Sequence, residues 1–136
     1  MIEKLTQTLD FHSQALLLRA RRQETLASNI ANADTPNFKA RDFNFASALK
    51  IAAMLTPGSS AVKLTATVAG HFDGGQLGDI EARMQYRPSV QPSIDGNTVD
   101  MDTERAQFAD NAMRYEAALR FLNGQIKTIL SAVQNS

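Results

Sequence analysis

Apolar or small residues recur through the last third of the chain at Phe108, Ala112, Tyr115, Leu119, Leu122, Ile126, Ile129 and Val133. The steps run 4, 3, 4, 3, 4, 3, 4. That is a heptad pattern, and an α-helix lines all eight along one stripe. Carrying the register back places Met101 on the stripe and makes Arg105 its one charged member. Glu104, Gln107, Asp110, Arg114, Glu116, Arg120, Asn123 and Lys127 fall on the other faces, where they suit water or a polar neighbour. A helix over residues 102–134 measures roughly 50 Å at about 1.5 Å per residue. A one-sided stripe of that length requires a second helix, from this chain or from a neighbour.

The beginning of the chain supplies a candidate. Ile2, Leu9, Leu16 and Ile30 lie seven or fourteen apart, and Leu5 and Leu26 sit on the adjacent row. Gln23 takes one seam place, while His12 and Arg19 take two of the flanking row. No Gly or Pro interrupts before Pro36. Thr35 precedes that proline and is pushed out of the helical region, so the helix is predicted to end near residues 32–34. Its length, roughly 45–50 Å, matches the C-terminal helix. The predicted fold is mainly α. Two long terminal helices (1–35 and 101–136) pack as a coiled-coil-like pair, with an extended, short-β and partly flexible middle (36–100), in one domain overall.

The middle region is read piecewise. Phe38, Ala40, Phe43 and Phe45 favour an extended piece, followed by a short helix over 46–55 in which Phe45 and Leu49 share a face. Residues 56–60 form a loop, and Val62, Leu64, Ala66 and Val68 alternate with polar residues as in a short strand. Residues 71–78 are turn-rich, and this section is expected to order only on assembly. Residues 86–101 are extended and carry an Asp95-Gly96-Asn97 turn. Asp100, Asp102 or Thr103 can cap the long helix, and Asp102 and Glu104 suit its positive end.

Composition narrows the function. The 136 residues carry no net charge, which argues against nucleic acid as the main partner. There is no cysteine, so disulfides and thiolate chemistry are excluded. The longest apolar run near the N-terminus, residues 15–18, is too short for a signal-peptide core or a membrane span. Work outside the cytoplasm would therefore need an export route that ignores a cleavable signal. Neither long helix has the strongly basic polar face of a membrane-surface helix.

No catalytic, metal or cofactor site emerges. His12 and His71 are the only histidines, and neither has a recognisable partner. Asp95, Asp100, Asp102 and Glu104 cluster, but without the order of acids and glycine that a calcium loop needs. Helix capping explains them better. Gly74-Gly75 and Gly78 match no phosphate loop.

The passage Leu26-Ala-Ser-Asn-Ile-Ala-Asn-Ala-Asp-Thr-Pro-Asn-Phe38 replaces the charges of a solvated helix end by amides and small residues. Asn29 and Asn32 can hydrogen-bond across a close contact, or the passage is an ordinary helix stop. Through Asn29, Asn32, Thr35, Pro36 and Phe38 it resembles the N-terminal signature of the flagellar rod, hook and hook-associated proteins. Arg41-Asp-Phe-Asn-Phe45 narrows the resemblance to proximal rod proteins, together with Gln91-Pro-Ser-Ile-Asp-Gly-Asn-Thr-Val-Asp-Met-Asp102, Glu104-Arg105 and Gln107-Phe-Ala-Asp-Asn111. It covers 1–50 and 86–136 well and the middle poorly. Phe38 stands where many relatives have Tyr.

The resemblance implies a structural subunit of the flagellar basal body rod, not an enzyme. It implies export, unfolded, by the flagellar type III apparatus. It also implies assembly into a helical tube spanning the periplasm, with the terminal helices in the inner layer. The implied partners are copies of itself, other proximal rod proteins and the hook–basal body adaptor at the rod base. Neither nucleic acid nor direct membrane insertion is implied. Early export substrates carry a Phe-x-x-x-apolar signal, which Phe45 and Leu49 match; packing is the alternative role for this pair. The competing class is a small helical adaptor or chaperone of a flagellar or type III secretion system, for which an amide-rich helix end has no use.

Overall fold

A computed structural model describes residues 2–54, 84–88 and 93–134, the side chains of residues 2–5 and 54 excepted. Its elements are α1 (Ile2–Ala31), β1 (Arg41–Asp42), α2 (Phe45–Met54), β2 (Gln85–Tyr86) and α3 (Met101–Gln134). The two long terminal helices and the short helix expected after residue 45 are present. The strand expected over 62–68 and the turn-rich residues 71–78, His71 included, lie outside the described residues.

α1 and α3 run antiparallel, because contacts that descend along α1 ascend along α3. Asn29 meets Glu104, Gln23 meets Asn111, and the His12 ring packs edge-on against Phe121 with centroids 4.7 Å apart. Half-buried Met101, Thr103, Gln107, Asp110 and Ala112 flank the inner seam of α3, which consists of its two buried residues, Glu104 and Asn111, with half-buried Phe108, Tyr115, Ala118, Leu122, Gln125 and Ile129. Taken in chain order these also step 4, 3, 4, 3, 4, 3, 4. The inner seam thus shares Phe108, Tyr115, Leu122 and Ile129 with the apolar stripe read from the sequence. Its second row is different. Glu104, placed by the sequence off the seam against water or a polar neighbour, is fully buried and takes the polar neighbours, Asn29 and Arg87.

α1 stops where the chain turns back on itself. The last turn holds no basic residue. The carbonyls of Ser28, Asn29 and Ile30 accept the N–H groups of Asn32 and Ala33 instead, and just past the helix the Asn97 Nδ2 donates to the carbonyls of Asn32 (3.0 Å), Ala33 (2.8 Å) and Thr35 (2.9 Å). Asn37 has φ 60°, a conformation that asparagine tolerates better than most residues. Its N–H donates to the Asp95 carbonyl. Gly96 has φ 73°, which favours glycine, and a Cβ there would sit 2.7 Å from Asn37 Oδ1 and displace that side chain. β1 and β2 form a two-residue antiparallel ladder that pairs Arg41 with Tyr86 and Asp42 with Gln85. Asn44 caps α2 by accepting the Ser47 N–H at 3.0 Å. α2 then closes a small core of Leu18, Phe43 and Ala48, flanked by Phe45, Leu49, Ala52 and Met84.

At the other end of the extended region, Asp100 caps α3. Its Oδ1 accepts the N–H groups of Asp102 (3.1 Å) and Thr103 (3.3 Å). Its Oδ2 accepts the Thr103 hydroxyl. Of the three capping candidates read from the sequence, Asp100 alone has the geometry. These hydrogen bonds hold its carboxyl below the usual carboxylate range. No helix among the described residues is long and apolar enough to cross a membrane.

Candidate functional site

Two features stand out: a polar junction where both helices meet the extended region, and a partly exposed apolar row on α3. The junction is built around Asn29, which is almost fully buried. Its Oδ1 accepts the Arg41 N–H at 3.1 Å, and its Nδ2 donates to the Arg41 carbonyl at 2.7 Å and to Glu104 Oε2 at 3.1 Å. The other Glu104 oxygen accepts from Arg87. Arg87 also donates to Asp42 (2.6 Å) and Gln107 (2.8 Å). Arg22 reaches Asp42 with two donors, at 3.1 and 2.9 Å, and Gln107 at 3.2 Å. Two carboxylates and two guanidinium groups therefore close a neutral network that joins α1, β1, the segment after β2 and α3.

Paired charges are what make this burial tolerable, since an unpaired one here would be costly. Burial pushes the Asp42 carboxyl up. The hydrogen bond and charge of Arg22, the Phe43 N–H and the charge of Arg87 outweigh it and hold the carboxyl below its ordinary value. The same hydrogen bond to Asp42 raises Arg22, against its own desolvation. Further along the seam, Asn111 Nδ2 donates to the Arg19 carbonyl (2.9 Å) and to Gln23 Oε1 (2.6 Å). Asn111 Oδ1 is buried and accepts nothing among the described residues.

The motif residues divide by role. Asn29 spans elements, whereas the Asn32 side chain stays local, donating to the Ser28 carbonyl and accepting the Thr35 hydroxyl. Thr35 and Pro36 are exposed and Phe38 is half-buried. On α1, Leu26 is fully buried, and Leu9, Leu16 and Ile30 are half-buried. The Ile2 and Leu5 side chains lie outside the described residues. Phe45 and Leu49 pack against the small core, with the Arg19 guanidinium 4.3 Å above the Phe45 ring.

On α3, Ala112 is half-buried, but Leu119, Ile126 and Val133 are exposed to 38%, 41% and 68%. They continue the heptad along the edge of the seam with α1, with Leu119 and Ile126 partly covered and Val133 open. Leu130, Phe121 and Met113 add to the exposed apolar surface.

Sequence reasoning missed the parts of the junction that only folding brings together: Asp42, Arg22, Arg87 and Gln107. A usable signal did exist in α3. Glu104 and Asn111 lie one heptad apart beside Phe108, as polar members of a buried seam do. Among the described residues no cluster of metal-ligating side chains occurs.

A family model described as flagella basal body rod protein matches residues 9–39, the part of α1 and its turn that carries Asn29 and Asn32. Over its whole length the chain is similar to the flagellar basal body rod protein FlgB of Escherichia coli (strain K12), with 50% identity over 136 residues and 99% of each chain covered. It is 46% identical over 135 residues to FlgB of Yersinia ruckeri, covering 98% of both. To FlgB of Cereibacter sphaeroides it is 44% identical over 127 residues, covering 93% of both.

Proposed function

The chain belongs to the FlgB family of flagellar basal body rod proteins, and from that premise we propose how it builds its part of the flagellum. It is a structural subunit of the basal body rod, which assembles with other basal body components. It joins copies of itself and other proximal rod proteins into the helical drive shaft, and meets the hook–basal body adaptor at the rod base. It performs no catalysis.

One observation supports this mechanism above the others. α3 keeps an apolar row, Leu119-Ile126-Val133, at the edge of its seam with α1, partly exposed at Leu119 and Ile126 and mostly exposed at Val133. Such a row is only marginally tolerable on a free chain and becomes favourable when a neighbouring helix covers it. Complete burial of an exposed side chain gains about 1.5–3 kcal/mol before ordering costs, and covering the exposed part of each of these gains a corresponding fraction of that. The axial motif acts one step earlier. Asn29 and its partners lock the turn that sends the chain from α1 into the extended region, and so set the angle at which the helix pair is presented. The subunit reaches its site through the flagellar type III export apparatus without a cleavable signal. Phe45 and Leu49 are available to that apparatus only in the unfolded chain, since folding packs both against the core.

The test is a pair of variants, Leu119→Asp and Ile126→Asp, expressed in a strain lacking the native protein. Both should be exported and helical, yet absent from isolated basal bodies, and the cells should not swim. Normal swimming with either variant would rule out the row as an interface. Finding the unmutated protein in the cytosol rather than in basal bodies would favour the adaptor class.

A further inference from the structure

Beside the polar junction lies an open cleft of about 600 Å³ between the first turn of α2, β2 and the facing sides of α1 and α3. Its walls are aromatic and cationic: Phe45, Tyr86, Arg19 and Arg114. The carboxylates that line it are already engaged. Asp42 is held by Arg22 and Arg87, and Asp110 accepts Arg114 Nε at 2.9 Å. Arg19 lies over the Phe45 ring and pairs with no carboxylate among the described residues. Burial and the nearby charge of Arg114 hold Arg19 below the ordinary guanidinium value, against the opposing pull of Asp110. The cleft is short of negative charge.

The end of the helix pair has the opposite character. The end of α1 and the start of α3 bring together the exposed acids Asp34, Asp95, Asp100 and Asp102, none of them in an ion pair among the described residues. Lys39, beside them, donates to the Gly96 carbonyl instead. At the tip of this turn Ile94 stands fully clear of the chain, next to Asp95. Among the described residues nothing covers this isoleucine, which a tight, glycine-bearing turn holds out.

We propose that the cleft receives the Ile94–Asp95 turn of a second copy of this chain, with the acid facing Arg19 and Arg114 and Ile94 entering between Phe45 and Tyr86. The two patches are complementary in charge and in shape class, a knob and a hollow. They are also different patches, so the contact is heterologous and repeats in one direction, as an open helical assembly requires. The inference rests on the reading of the chain as a self-assembling rod subunit. It names a contact distinct from the α3 row.

Because the chain has no cysteine, cross-linking is clean. Ser93→Cys and Ala46→Cys, introduced together, place one thiol beside the knob and one at the cleft edge; both leave Ile94 and the arginines in place, and the first gives up only the Ser93 hydroxyl's hydrogen bond to Asp95. Oxidising isolated basal bodies should yield a ladder of covalent dimers and larger oligomers, while either single variant yields none. Protein present in basal bodies without a ladder overturns the proposal and leaves the rod reading standing. Cross-linking to a different protein also overturns it. Absence of the unmutated chain from basal bodies defeats the rod reading itself. A charge swap covers the case in which the cysteines block assembly. Arg19→Asp should cut swimming at least fivefold, and adding Asp95→Arg should restore most of it. A double variant no better than the single counts against the contact.

Discussion

The Asn29 side chain holds the Arg41 backbone as a neighbouring β-strand would, accepting its N–H and donating to its carbonyl. A side-chain amide does this because it carries the same donor and acceptor pair as a peptide group. Asn29→Asp keeps the shape but loses both donor bonds and places a second carboxylate beside buried Glu104. It should cost about 2–4 kcal/mol in chemical denaturation of the full chain followed by circular dichroism. Asn32→Asp, which disturbs only an exposed local bond, should cost under about 1 kcal/mol. In cells, the two changes together should reduce rod assembly more than secretion.

Asp42 makes stability depend on acid. Its folded pKa lies below its ordinary value, so its contribution is fully present above about pH 4. It is lost as the pH falls through the depressed folded value. Unfolding followed from pH 7 to pH 2 should therefore show a loss of stability beginning below about pH 4. In Asp42→Asn that acid limb should be shallower and the neutral-pH stability lower. An unchanged acid limb would mean that the Arg22–Asp42–Arg87 network does not form in solution.

Gly124 sits inside α3, and a Cβ at that position meets nothing within 4 Å. Glycine costs a helix interior about 0.8–1.0 kcal/mol relative to alanine. Gly124→Ala should accordingly raise the stability of the isolated chain by about 0.5–1 kcal/mol, seen as a higher thermal midpoint. If assembly suffers while the isolated chain gains, a neighbour approaches the backbone there.

Leu18 and Leu119 are the same residue type with opposite placements. Leu18 is 1% exposed in the small core between α1 and α2, and Leu119 lies on the outer row. Leu18→Ala should cost about 2–5 kcal/mol. Leu119→Ala should change the stability of the isolated chain by no more than about 0.5 kcal/mol while weakening incorporation into basal bodies. Denaturation and basal-body yield, measured on both variants, separate the core from the assembly surface.

Local physics made much of this protein legible from its sequence. Heptad spacing is enough to specify two long helices, Thr35-Pro36 is enough to end the first, and Asp-Gly-Asn is enough to require a turn. Each depends on residues close together in the chain, so each can be read there. The choice of seam is different. Apolarity alone selects Ala112, Leu119, Ile126 and Val133 as the second row of α3. The folded chain turns inward the row of Glu104, Asn111, Ala118 and Gln125. Asn29 and Arg87 supply partners for Glu104, and Gln23 and the Arg19 carbonyl accept from the Asn111 amide. Those partners come from positions 17 to 92 residues away, beyond any local pattern. A carboxylate and an amide that find partners from a distance take the inner row and leave Leu119 and Ile126 at its edge, and only the tertiary structure decides that exchange.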